Sequence, residues 1–153
     1  MKKITAILAA LFAFVVSQAQ ITSGEDGKYY ADNNSLYSGS YTETFSDGTL
    51  RMSMELKNGV ADGNTYIYSE RGNLLETRSY SEGKFNGTWL TYSDSGIKVA
   101  EAHYLNNKKD GTWFIWDNYG KLRYQMEYKS GEKTGLWKEW DENGSLLREK
   151  KYD

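Results

Sequence analysis

The chain contains no cysteine and no proline, and it has one histidine in 153 residues. Without cysteine there can be no disulfide staple and no thiolate chemistry, so stability has to come from packing. Without proline nothing in the sequence interrupts a strand by removing a ladder donor. A basic surplus is also missing. Lysine and arginine number 19 against 21 aspartate and glutamate, a formal net charge of −2. That balance disfavours nucleic acid and acidic lipid surfaces, both of which attract basic proteins. No window shows sustained helical periodicity, so no Gly-rich phosphate loop opens a helix.

Long apolar runs are scarce too. The longest is Ile4–Val16, apolar but for Thr5 and preceded by Lys2 and Lys3. It falls short of the roughly 20 residues that span a bilayer. Ser17-Gln18-Ala19 supplies a small-x-small cleavage signal, and the whole stretch 1–19 is expected to be a cleaved secretory signal. Cleavage would leave Gln20 first in a periplasmic or secreted chain, with 17 bases against 21 acids and a net charge of −4.

What is present is a repeat. Gly39, Gly63, Gly87, Gly111 and Gly135 are each 24 residues apart. Gly48, Gly72, Gly96, Gly120 and Gly144 keep the same period nine residues behind. A fixed period of this size is the mark of a repeat array. The chain then divides into a flexible leader at 20–26, a short cap at 27–38, four full units at 39–62, 63–86, 87–110 and 111–134, and a shorter unit at 135–153.

Within each unit two runs of β-forming residues flank a polar loop that ends in glycine, such as Ser46-Asp47-Gly48 or Glu142-Asn143-Gly144. A second turn follows at Asn58-Gly59, Glu82-Gly83, Asn106-Asn107 and Ser130-Gly131. Each unit is therefore expected to be one β-hairpin, and the fold all-β: an elongated antiparallel sheet of tandem hairpins. Two residues after the leading glycine stand Tyr41, Thr65, Trp89, Trp113 and Trp137; five after it stand Thr44, Tyr68, Tyr92, Trp116 and Trp140. These columns differ by an odd number and should point to opposite faces. A third column, Leu56, Tyr80, Tyr104, Tyr128 and Tyr152, should fill the gaps between residues of the first. Four charges at Arg148–Lys151 on the last strand would discourage another chain from pairing there.

The pattern Tyr128-x-x-Gly131-x-x-x-Gly135-x-Trp137 resembles the MORN repeat, and more closely its bacterial variant. The same spacing recurs at Tyr80-Gly83-Gly87-Trp89 and at Tyr104-Gly111-Trp113, and the resemblance extends over roughly 27–153. It implies β-hairpin units in an elongated sheet, a role in protein interaction or at membranes, and for some bacterial variants an antitoxin-component label.

Chemistry is hard to find. His103 lies in a predicted strand with no serine or cysteine constellation around it, so a structural place is expected. The loop acids Asp47, Asp94, Asp117, Asp141 and Glu142 match no calcium-loop spacing and suit turn formation. Glu43, Glu55, Glu76 and Glu101 fall on different hairpins, as solvated face residues would. No catalytic, metal or cofactor site is expected. The candidate binding surface is aromatic: Trp89, Trp113, Trp116, Trp137 and Trp140. The expected function is an exported, non-enzymatic binding or scaffold module for a protein or envelope component. Binding of cell-envelope glycan is the alternative.

Overall fold

A computed structural model describes residues 20–153; the expected signal segment, 1–19, lies outside the described residues. Thirteen strands follow in order. β1 (Thr22–Ser23) and β2 (Tyr29–Tyr30) form a small antiparallel pair, so part of the expected leader is built into the cap. The main sheet contains β3 (Gly39–Thr44), β4 (Leu50–Lys57), β5 (Val60–Tyr68), β6 (Leu74–Ser81), β7 (Lys84–Tyr92), β8 (Lys98–Leu105), β9 (Lys108–Lys109), β10 (Gly111–Trp116), β11 (Leu122–Lys129), β12 (Glu132–Trp140) and β13 (Leu146–Tyr152). Apart from β9 and β10, which do not pair with each other, consecutive strands of the sheet pair antiparallel, giving a meander with β3 and β13 at its ends. β9 and β10 act as one strand interrupted at Asp110, since both pair with β8.

Two turn types alternate, and the sequence dictates both. The loop after β10 is typical of the first. Asp117 N–H donates to the Lys121 carbonyl, Gly120 N–H donates to the Asp117 carbonyl, and Gly120 sits at φ 78°. This is a three-residue loop built on a type I turn, whose last position needs the left-handed region. The cap turn has the same bonds, with Asn34 at φ 61° in the glycine place. In the second type both central residues take positive φ, as at Asn58 (50°) and Gly59 (76°) or Asn106 (50°) and Asn107 (67°). These are type I′ turns, whose twist matches that of the strands they join.

Among the described residues no second layer covers the sheet, and the buried side chains are those of Met54, Leu56 and Thr65, where the cap docks. Tyr29 N–H donates to the Gly59 carbonyl, and the Tyr29 ring lies 4.8 Å from that of Tyr41. The end of the array that lacks tryptophan is thus the end closed by the cap. β13, at the other end, is exposed from Leu146 to Lys151.

Candidate binding surface

The leading glycines are not in hairpin turns. They form a bulge between one unit and the next. Met54 pairs with Thr65 and Leu56 with Ala61, so Glu55 faces the three residues 62–64. Ser79 faces 86–88 in the same way, and the register shifts again between Gln125 and Glu127. Gly111 shows why the residue is glycine. Its φ is 103°, and a Cβ there would come within 3.3 Å of the His103 Cβ across the bulge.

The bulge places the tryptophan two residues later directly over the preceding strand. Trp113 Nε1 donates to the His103 carbonyl at 3.0 Å, Trp137 Nε1 to the Glu127 carbonyl at 3.0 Å, and Trp89 Nε1 to the Ser79 carbonyl at 3.4 Å. Each indole donor is satisfied, as a half-buried one must be. The rings then interleave with the tyrosine column. Tyr80, Trp89, Tyr104, Trp113, Tyr128, Trp137 and Tyr152 form an unbroken ladder with centroid separations of 4.9 to 6.0 Å. Successive rings meet tilted or edge-on, the arrangement the aromatic quadrupole favours. Burial raises the phenol pKa of Tyr104 and of Tyr128.

Cations cap the ladder. Lys109 Nζ lies 4.3 Å from the Trp113 ring centre and 4.7 Å from that of Tyr128. Lys133 Nζ lies 4.4 Å from Trp137, Lys150 Nζ 4.6 Å from Tyr152, and Arg78 5.1 Å from Trp89.

The five candidate tryptophans therefore do not form one strip. Trp89, Trp113 and Trp137 belong to the ladder face. Trp116 and Trp140 take the opposite face, as the odd spacing requires. There the Phe114 and Trp116 rings stack at 5.5 Å and 28°, and Lys98 Nζ sits 4.5 Å over Trp116.

The ladder face opens into a groove of about 410 Å³ at the last strands. Ile115, Tyr124, Met126, Trp137 and Tyr152 give it an apolar lining, with Ile115 and Tyr124 each 38% exposed. Glu139 is the acid in its wall. Arg148 Nη2 donates to Glu139 at 2.6 Å and Tyr124 Oη at 3.2 Å, and the Arg148 bond is the main reason its carboxyl titrates below the ordinary glutamate range. Sequence reasoning missed this groove. It is lined from four strands, and neither Ile115 nor Met126 belongs to a repeating column of aromatics.

A second feature it missed is a lock between units. The amide of each type I′ turn reaches back to the preceding unit: Gly83 N–H to the Ala61 carbonyl, Asn107 to Phe85, and Gly131 to Lys109. One residue earlier, the turn amide finds a side chain just before a leading glycine. Asn58 N–H donates to Ser38 Oγ at 2.8 Å, Glu82 to Asp62 at 3.3 Å, Asn106 to Asn86 at 3.4 Å and Ser130 to Asp110 at 3.1 Å. The signal was there, since Ser38, Asp62, Asn86 and Asp110 keep the 24-residue period.

Most of the other residues considered for chemistry have structural partners. His103 contacts Glu101 (3.2 Å) and Thr88 (3.3 Å) on the sheet face. Lys98 binds Glu101 at 2.7 Å, the largest cause of its lowered pKa. Asp47, Asp117 and Asp141 accept turn amides from Thr49, Lys121 and Ser145. Glu76 is held by Arg78 at 2.7 Å, and Glu55 accepts from Ser40 Oγ.

Three consecutive stretches, 85–106, 109–130 and 133–153, match the family model described as MORN repeat variant. No curated protein matches the chain. The family match covers every ring of the ladder but the first, Tyr80, whereas the hairpin period runs on towards the N terminus to Gly39.

Proposed function

Residues 85–153 are MORN-variant repeats, and we propose that the protein is an exported, non-enzymatic scaffold holding a protein partner on the ladder face of its C-terminal units. Repeats of this family are binding modules, not catalytic ones. The observation that carries the reading is the groove beside Trp137 and Tyr152. An apolar lining with Ile115 and Tyr124 more than a third exposed is what a partner would cover. Packing of the array does not need it, because the ladder tryptophans already have ring neighbours and hydrogen-bond acceptors.

The test is a pull-down from cell-envelope extract with residues 20–153, beside Ile115→Ser and the double variant Trp116→Ala with Trp140→Ala. Circular dichroism checks that each folds. A defined protein captured by the wild type and the double variant, but not by Ile115→Ser, supports the groove. Loss only in the double variant moves the site to the opposite face. Capture of a glycan in place of a protein favours the wall-binding alternative, and no capture by the folded wild type defeats the scaffold reading. Export is tested separately: the mature chain in the periplasmic or culture fraction should begin at Gln20.

A further inference from the structure

The ladder face carries an excess of positive charge that its own acids do not neutralise. Lys109, Lys133 and Lys150 each sit over aromatic rings. None of the three has a carboxylate within ion-pairing distance among the described residues, although neighbouring lysines do: Lys129 pairs with Asp110 and Lys138 with Glu149. The acid in the groove wall, Glu139, is already taken by Arg148 and Tyr124. Lys150 lines the apolar groove itself, and Lys109 and Lys133 continue the set of unneutralised ammonium groups over the neighbouring ladder rings, on a chain whose net charge is negative.

Resting on the scaffold reading, we infer that this face takes an extended acidic peptide in polyproline-II conformation, with carboxylates three residues apart facing Lys109 and Lys133 and a further acidic side chain meeting Lys150. Three arguments select that occupant. Lys109 and Lys133 hold the same place in successive units, so they are two strand spacings, or about 9.5 Å, apart. A polyproline-II helix repeats every three residues at about 3.1 Å each, so like positions recur every 9.3 Å or so on one side. Carboxylates at i and i+3 thus keep step with the array, whereas in a β-strand those two positions point to opposite sides.

The rings supply the second argument. Aromatic-lined grooves favour polyproline-II segments, whose order before binding lowers the entropy lost on docking. The third is charge. A dense polyanion such as nucleic acid or an acidic bilayer would meet the chain's overall negative potential, while a sparsely acidic peptide meets only the local cations. Its intervening apolar side chains have the edges of the Trp137 and Tyr152 rings, which also line the groove, to pack against.

The probe is a labelled peptide of repeating Glu-Pro-Pro triplets, read by fluorescence anisotropy against residues 20–153. Its Gln-Pro-Pro counterpart and phosphatidylglycerol vesicles serve as comparisons. Wild type should bind the acidic peptide with an affinity that falls as salt rises, and should bind the glutamine peptide at least about tenfold more weakly. The triple variant Lys109→Gln, Lys133→Gln, Lys150→Gln should lose about tenfold or more while keeping its circular dichroism spectrum. Lys133→Glu alone supplies a second variant should the triple one misfold. Equal binding by these variants, or equal binding of the glutamine peptide, overturns the inference. Vesicle binding that outcompetes the peptide overturns it in favour of a lipid surface. A folded wild type that ignores the peptide yet captures a protein in the pull-down refutes the acidic-peptide assignment and leaves the scaffold reading intact.

Discussion

Replacing Trp113 with alanine tests the claim that the aromatic ladder, and not a central core, holds the units together. Trp113 lies between Tyr104 and Tyr128, with ring centres 5.2 Å away on each side, and its indole bonds the His103 carbonyl of the preceding unit. A tryptophan covered over about half its surface loses roughly 2–3 kcal/mol of apolar burial on truncation, at about 25 cal/mol/Å². The indole hydrogen bond adds about 1 kcal/mol, and the stack with Lys109 about 0.5 kcal/mol. The expected loss is therefore about 3.5–4.5 kcal/mol.

At roughly 2.1 cal/mol/K per residue, unfolding residues 20–153 carries an entropy near 0.28 kcal/mol/K, so Tm should fall by about 12–16 °C. The comparison is Lys98→Ala. Lys98 also touches an aromatic ring and an acid, but its side chain is 41% exposed. Solvent screening limits it to under about 1 kcal/mol, or about 3 °C. Thermal melts followed by near-ultraviolet circular dichroism read both variants. Trp113→Phe, which keeps a ring but not the donor, should fall between them. Equal Tm for Trp113→Ala and Lys98→Ala would refute the ladder as the source of stability.

The turn lock and the bulge give further expectations. Asp110 titrates below the ordinary aspartate range, chiefly because it accepts the Ser130 amide. A carboxyl whose pKa is depressed on folding stabilises above its unfolded pKa and stops doing so as pH falls through the folded value. Asp110→Ala should therefore melt below wild type at neutral pH, and the gap should close progressively below about pH 4. Asp110→Asn, which copies Asn86, should stay near wild type without that pH dependence. Glu82 holds φ 50° in a type I′ turn, so Glu82→Asn should raise Tm by about 2–4 °C, corresponding to about 0.5–1 kcal/mol of relieved left-handed strain. Gly111→Ala should cost about 2 kcal/mol or more, measured by urea unfolding, since the new Cβ meets His103 at a backbone angle alanine rarely adopts.

The array was legible in the sequence because its signals are local and repeated. A turn that needs positive φ must use glycine or asparagine, so Gly48 and its successors announced the first turn, and Asn107 could stand for glycine in the second. Column spacing gave the face of each tryptophan, because the side-chain period of a strand is two. The leading glycines were harder to read. Their period was plain, but only the pairing of Met54 with Thr65 and Leu56 with Ala61 shows that they sit in a bulge. A glycine that spaces two strands and a glycine that closes a turn look alike in sequence.

The groove lay beyond that reach because it exists only where neighbouring units come together, and the units are not equal. In the first units Thr65 and Leu56 occupy ladder positions, and both are 4% exposed beneath the cap. In the last units Trp137 and Tyr152 occupy them, and among the described residues no cap covers the lining at Ile115 and Tyr124. The same backbone rule thus gives a closed end and an open one. The difference rests on which side chains fill the ladder, since a cap can bury a threonine and a leucine but would have to displace Lys133 and Lys150 to cover the rings beneath them. Binding and stability therefore separate along the array. Substitutions at Trp113 should lower Tm, whereas Ile115→Ser, half-exposed and outside the ladder, should change what the protein holds while moving its melting point by no more than about 3 °C, corresponding to about 1 kcal/mol of lost apolar cover.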